Sequence, residues 1–195
     1  MGNQSSNPKR FKLTSKVVKK LVSQTHFSES EITFLFNRFK AISNSIVNDG
    51  VIDVNEFQEA LGIRSNGFAK RVFAAFDSDQ SEGIDFEEFV KGLSSISERA
   101  TIEEKARFCF DVFDIDKNGT ISKEELKEVL SYSLCENPSI HLTKEQIESL
   151  VEQAYNEIDI NGDGEISYEE FQSAAERNNA ILDCVHFNFT EFSQQ

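Results

Sequence analysis

The stretches Asp114-Ile115-Asp116-Lys117-Asn118-Gly119-Thr120-Ile121-Ser122-Lys123-Glu124-Glu125 and Asp159-Ile160-Asn161-Gly162-Asp163-Gly164-Glu165-Ile166-Ser167-Tyr168-Glu169-Glu170 decide the fold. Both obey the pattern D-x-[DN]-x-[DN]-G-x5-E of a loop that wraps a hard divalent cation. Calcium takes six to eight oxygens at about 2.3–2.6 Å. Positions 1, 3 and 5 supply side-chain oxygens from Asp114, Asp116 and Asn118, and from Asp159, Asn161 and Asp163. Gly119 and Gly164 stand at position 6, where the chain must turn with positive φ. Thr120 and Glu165 offer a backbone carbonyl at position 7, and Ser122 and Ser167 act at position 9 directly or through water. Glu125 and Glu170 close the loops with both carboxylate oxygens. Asp, Asn and Gly favour ordinary turns as well, but two complete matches between amphipathic segments are not explained that way.

Working outward, an Ile four positions before a Glu recurs as Ile52/Glu56, Ile84/Glu88, Ile121/Glu125 and Ile166/Glu170, each Glu followed by Phe or Leu. Each unit reads as amphipathic segment, polar loop, amphipathic segment. This is the EF-hand helix–loop–helix, four times, so an all-α fold of two paired lobes is expected. The position-8 Ile is expected to pin neighbouring loops together by a short strand pairing. The second loop, Asp77 to Glu88, keeps ligands at Asp77, Asp79, Ser81, Asp85 and Glu88, with the Gly83 carbonyl at position 7. Its position 6 is Glu82, and a non-Gly residue at positive φ costs about 1–2 kcal/mol. Weaker calcium binding, or magnesium in the weaker loops, is the expectation. The first loop keeps Asp49, Asp53 and Glu56, but Ser45 and Val47 fall at positions 1 and 3. It binds metal only if a longer loop from Ser43 lets backbone carbonyls replace the missing side chains. Ser28…Glu31, Thr101…Glu104 and Thr143…Gln146 read as capping boxes that open the entering helices of the first, third and fourth units.

The 195 residues carry a net charge of −14, with 38% hydrophobic and 28% charged residues, enough apolar material for a packed core. Such a charge argues against duplex nucleic acid as the main partner and suits cation binding. The charge is uneven. Residues 1–28 hold Lys9, Arg10, Lys12, Lys16, Lys19 and Lys20 and no acid, so the other 167 residues carry −20. The chain opens Met1-Gly2-Asn3-Gln4-Ser5-Ser6, the N-myristoylation pattern at Gly2. One acyl chain binds bilayers marginally, and a polybasic segment is a second signal. The expectation is a cytoplasmic protein, reversibly and salt-sensitively associated with membrane. Cys109, Cys135 and Cys184 are odd in number and have no CxxC spacing, in keeping with reduced thiols. The organisation expected is a basic segment 1–27, an N-terminal pair 28–97, a C-terminal pair 98–178, and a tail 179–195 that acts as a groove lid.

This array resembles the calcineurin B, neuronal calcium sensor and calcineurin B-like branch of EF-hand proteins, over about residues 20–190. Phe39-Lys40-Ala41-Ile42-Ser43-Asn44-Ser45-Ile46-Val47-Asn48-Asp49-Gly50-Val51-Ile52 is similar to the extended first loop of calcineurin B-like proteins. Calcineurin B itself carries an ordinary acidic first loop, and neuronal sensors carry a Cys-Pro there; both are absent. Ala100-Thr101-Ile102-Glu103-Glu104-Lys105 resembles the linker before the family's third unit. The resemblance implies a non-enzymatic calcium sensor that clamps an amphipathic helix of a Ser/Thr protein kinase and relieves its autoinhibition. The alternatives are a calcineurin B-type regulatory subunit of a protein phosphatase, a membrane-recruited sensor of the neuronal type, and a passive calcium buffer. The family's C-terminal aromatic motif has only a loose counterpart in Phe187-Asn188-Phe189-Thr190-Glu191-Phe192, where Thr190 would be the phosphorylated residue.

Independently of the family, 18 Phe, one Met and no Trp suggest a stiff partner groove selective for few partners. Phe36, Phe76, Phe89, Phe113 and Phe171 are assigned to the cores of the paired units. No catalytic constellation and no Gly-rich phosphate loop is present.

Overall fold

The computed structural model describes residues 12–45, 50–136, 139 and 142–185, with side chains to residue 182. Gly2, Asp49, Thr190 and the aromatic residues around Thr190 lie outside that range. The basic segment contributes a helix, α1 (Ser15–Gln24), opened by the Thr14 hydroxyl and packed by Val17, Val18 and the fully buried Leu21. It rests on α2 (Glu29–Ile42) and on α5 (Phe86–Ser95), where Lys20 pairs with Glu87. The cationic stretch is therefore partly a core-bearing element of the N-terminal pair, completed by α3 (Val54–Leu61) and α4 (Asn66–Phe76). The C-terminal pair comprises α6 (Ile102–Phe113), α7 (Lys123–Glu136), α8 (Lys144–Ile158) and α9 (Tyr168–Arg177), followed by a 3-10 helix, Asn179–Val185.

The helices begin where the sequence places their caps. Ser28/Glu31, Thr101/Glu104 and Thr143/Gln146 each form the reciprocal pair of hydrogen bonds of a capping box. Both loop pairings run through the position-8 isoleucines. Ile121 faces Ile166 in the two-residue antiparallel strands β1 (Thr120–Ile121) and β2 (Ile166–Ser167). Ile52 and Ile84 exchange both backbone hydrogen bonds at 2.9 Å. All four isoleucines are fully buried.

Under each loop pair lies a Phe-rich core. Phe57 meets Phe76 edge-on at 5.1 Å, and Phe110 meets Phe171 at 5.8 Å. Phe36, Phe76, Phe89, Phe113 and Phe171 are buried as expected. Among the described residues the large apolar side chains left exposed are Val22, Ile102, Leu142, Leu150 and Ile160, and none is Phe. Edge-to-face packing between rings uses the Phe faces inside the molecule. Phe76 also meets Phe108 at 5.4 Å, which joins the two pairs through α4 and α6. After α9 the 3-10 helix turns back onto α6, α7 and α9 and buries Leu182.

Candidate metal centre

The second, third and fourth loops share one hydrogen-bond plan. The position-1 aspartate, at the C-terminus of the entering helix, folds the loop around its two oxygens. Asp114 accepts the amides of Asn118 at 3.1 Å and Gly119 at 3.0 Å. Asp77 accepts those of Ser81 at 2.9 Å and Glu82 at 3.0 Å, and Asp159 those of Gly162 at 2.9 Å and Gly164 at 3.1 Å. Position 3 accepts the position-5 amide through Asp79, Asp116 and Asn161. Position 5 accepts the position-7 amide through Asn118 and Asp163, whereas the Ser81 hydroxyl donates to the Gly83 carbonyl at 3.0 Å.

The closing glutamates serve two ends at once. One oxygen of Glu125 accepts the amides of Ile115 and Asp116, and the other accepts the amide and hydroxyl of Ser122. Glu170 repeats this with Ile160, Asn161 and Ser167. Glu88 does so with Ser78, Asp79 and Asp85. Positions 9 and 12 thus form a capping box for each exiting helix, seen fully in Asp85/Glu88 and Ser167/Glu170. The cation-loop pattern accounts for these residues as metal ligands and says nothing of capping. The S/D-x-x-E spacing inside each loop is the signal that reveals the second role. Burial tends to raise the Glu125 carboxyl, but its hydrogen bonds from Ser122, Ile115 and Asp116 hold it below the ordinary range. The same balance lowers Glu170.

These donor sets fit calcium. Two oxygens bound to one ion at about 2.3–2.6 Å lie at most about 5 Å apart. Carboxylate oxygens of Asp114, Asp116 and Glu125 lie within 4.8 Å of one another, as do those of Asp77, Asp79 and Glu88. Asp114, Asp77 and Glu88 are buried, so a bound cation would supply the charge compensation that such a cluster requires. Calcium would be held by positions 1, 3, 5, 7, 9 and 12 of each loop, and its charge would draw the entering and exiting segments onto one centre. The fourth loop offers as many ligand carboxylates as the third, Asp159, Asp163 and Glu170, but these three are not among the clusters that gather within 4.8 Å.

Backbone turns follow the plan with one addition. Gly119 and Gly164 take φ of 92° and 88° at position 6, and Glu82 takes 66° in the second loop, as its place in the register demands. Position 4 also turns positive, at Gln80, Lys117 and Gly162. Gly83, one place after Glu82, is small for another reason. A Cβ there would lie 3.1 Å from the Val51 methyl of the first loop.

In the first loop Gly50 takes φ of 86°, and Asp53 and Glu56 form the capping box of α3. Glu56 is buried, and Ser45 donates its hydroxyl to it at 3.5 Å. Asp53 spends a carboxylate oxygen on the amides of Asn55 and Glu56.

Comparison with known proteins follows the same lines. Residues 103–176 match the model of an EF-hand domain pair. The calcineurin B chain of Candida glabrata is 40% identical over 162 residues, 83% of this chain and 89% of that protein. The chain belongs to the calcineurin B family of EF-hand proteins. Calcineurin B of Kluyveromyces lactis is 39% identical over 86% of this chain and 92% of its own. Human calcineurin B type 2 is 35% identical over 89% and 91%. As a calcineurin B family member the chain is a calcium-binding regulatory protein and not an enzyme. The expectation of a kinase-binding branch, drawn from residues 39–52, gains no support from these likenesses. Part of that segment, residues 46–49, lies outside the described residues. A loop with few side-chain ligands is also weakly constrained in sequence, which makes it a poor discriminator of branches.

Proposed function

We propose that the protein is the calcium-responsive regulatory subunit of a calcineurin-type protein phosphatase and holds an amphipathic helix of the catalytic subunit. The observation that carries this reading is the likeness to calcineurin B along about nine-tenths of the relatives' length, with acidic clusters in the second and third loops. The third and fourth loops, at Asp114–Glu125 and Asp159–Glu170, are the principal calcium sites. The second loop is a weaker site because Glu82 carries the position-6 turn. The first loop supports the second through the Ile52–Ile84 pairing and the Val51–Gly83 contact rather than holding metal itself. Gly2 is the acylation site, and the acyl chain with the basic residues before α1 gives reversible membrane contact. Intact mass after co-expression with an N-myristoyltransferase tests that part: an acyl adduct supports it, and an unmodified chain counts against it.

The partner is tested by capture from cell extract on the immobilised full chain, with calcium and with chelator, read by mass spectrometry. A phosphatase catalytic subunit enriched in the calcium sample supports the proposal. A Ser/Thr kinase in its place, or no difference between samples, contradicts it.

A further inference from the structure

The two loop pairs meet at a contact that belongs to no metal loop. Glu136, the last residue of α7, accepts the Arg64 amide on one carboxylate oxygen at 2.9 Å. Its other oxygen accepts the Ser65 amide at 2.7 Å. Those amides lead into α4, where N–H groups lack helical acceptors and a negative charge is favoured. One turn earlier on the same face of α7, the Tyr132 ring lies over Gly67 in the first turn of α4. A Cβ at Gly67 would come within 2.5–2.8 Å of three ring carbons, so only glycine admits the ring in this position.

We infer that Glu136 and Tyr132 form an inter-lobe latch that couples the third loop to the second. The connectivity makes it a lever. α7 starts beside Glu125, the closing ligand of the third loop, and α4 ends at Asp77, the opening ligand of the second. At 1.5 Å per residue, the path from Glu125 to Glu136 is about 16 Å, so a swing of about 10° at the loop moves the carboxylate by about 3 Å. That displacement breaks both hydrogen bonds or drags Arg64 and Ser65, and α4 with them. Phe76 passes the movement on, because its ring occupies the space that a Cβ at Gly92 of α5 would fill. Coupling of this kind is reciprocal: metal in the third loop alters the second, and metal in the second alters the third.

The test follows the Arg64 and Ser65 amide resonances of the full chain during calcium titration. A Glu88→Gln background silences the second loop, so any response at Arg64 and Ser65 originates in the C-terminal pair. The Gly119 and Gly164 amides report metal loading. In Glu88→Gln, Arg64 and Ser65 should shift with the midpoint of Gly119. Adding Glu136→Ala should abolish that shift while Gly119 and Gly164 still respond. Adding Gly67→Ala in place of Glu136→Ala, which displaces the Tyr132 ring, should also abolish it. Static Arg64 and Ser65 beside a moving Gly119, or a response that survives both latch substitutions, would overturn the latch. Static Gly119 and Gly164 would overturn the latch together with calcium binding itself.

Discussion

At the scale of single residues, Glu82 carries the clearest strain. It takes the positive φ that Gly119 and Gly164 take in the complete loops. Glu82→Gly should relieve about 1–2 kcal/mol of steric cost, less about 0.5 kcal/mol for the freer unfolded chain. Thermal unfolding and a calcium titration of the variant should show a higher midpoint and tighter binding at the second loop; an unchanged or lower midpoint would refute the assignment of strain. Glu31 offers a second residue-level test. Arg99 donates to both of its oxygens, at 2.7 and 3.2 Å, and the Ser28 amide adds a third hydrogen bond. The Arg99 hydrogen bond, with those from Ser28, draws the Glu31 carboxyl from 4.5 down to about 2. The folded-state value is the lower one. The stabilisation is therefore present in full above the unfolded value and disappears as pH falls from about 4.5 towards about 2. Urea unfolding of Glu31→Gln should show a deficit against the parent at pH 7 that shrinks at pH 3, and a deficit independent of pH would contradict it. The pair is partly exposed, so its share of stability is modest.

At the scale of elements, helix starts were legible in the sequence and helix partners were not. Thr143 and Gln146 announce α8 because capping is local chemistry, complete within four residues. Thr143→Ala should cost about 0.5–2 kcal/mol of stability in denaturant. An unaltered unfolding midpoint would mean that the cap does not hold the entry to the fourth loop. The twelve-residue loops were legible for the same reason, since every ligand answers to a position in one short turn. The second role of Glu88, Glu125 and Glu170, as capping partners of position 9, is equally local and was overlooked because the metal pattern already accounted for those residues. The reason for a glycine at position 83 was not local: the sequence offers it as the position-7 carbonyl, which any residue supplies, whereas its size answers to Val51 of another loop. α1 was hidden behind its charge: Val17, Val18 and Leu21 form an apolar stripe among the lysines of a segment read for its cations.

At the scale of the whole molecule, the paired lobes followed from the four position-8 isoleucines, but the contacts between lobes had no local signature. Glu136 reaches Ser65 across 71 residues, and His26 reaches Glu104 across 78, with a ring nitrogen 2.8 Å from the carboxylate. His26 also receives an Arg99 hydrogen bond on its carbonyl and donates its amide to Ser94, so the α1–α2 junction is tied to the segment joining the lobes. The candidate metal loops of the two lobes are thus joined through helices that touch, and the proposed calcium uptake by the third and fourth loops is the event on which the rest of the account depends. Isothermal calorimetry of the metal-stripped full chain tests this most directly, beside a Glu125→Gln/Glu170→Gln variant. Calcium uptake by at least those two loops is predicted in the parent, with its loss from both in the variant; no heat of binding in the parent, or the same binding in the variant, would contradict it.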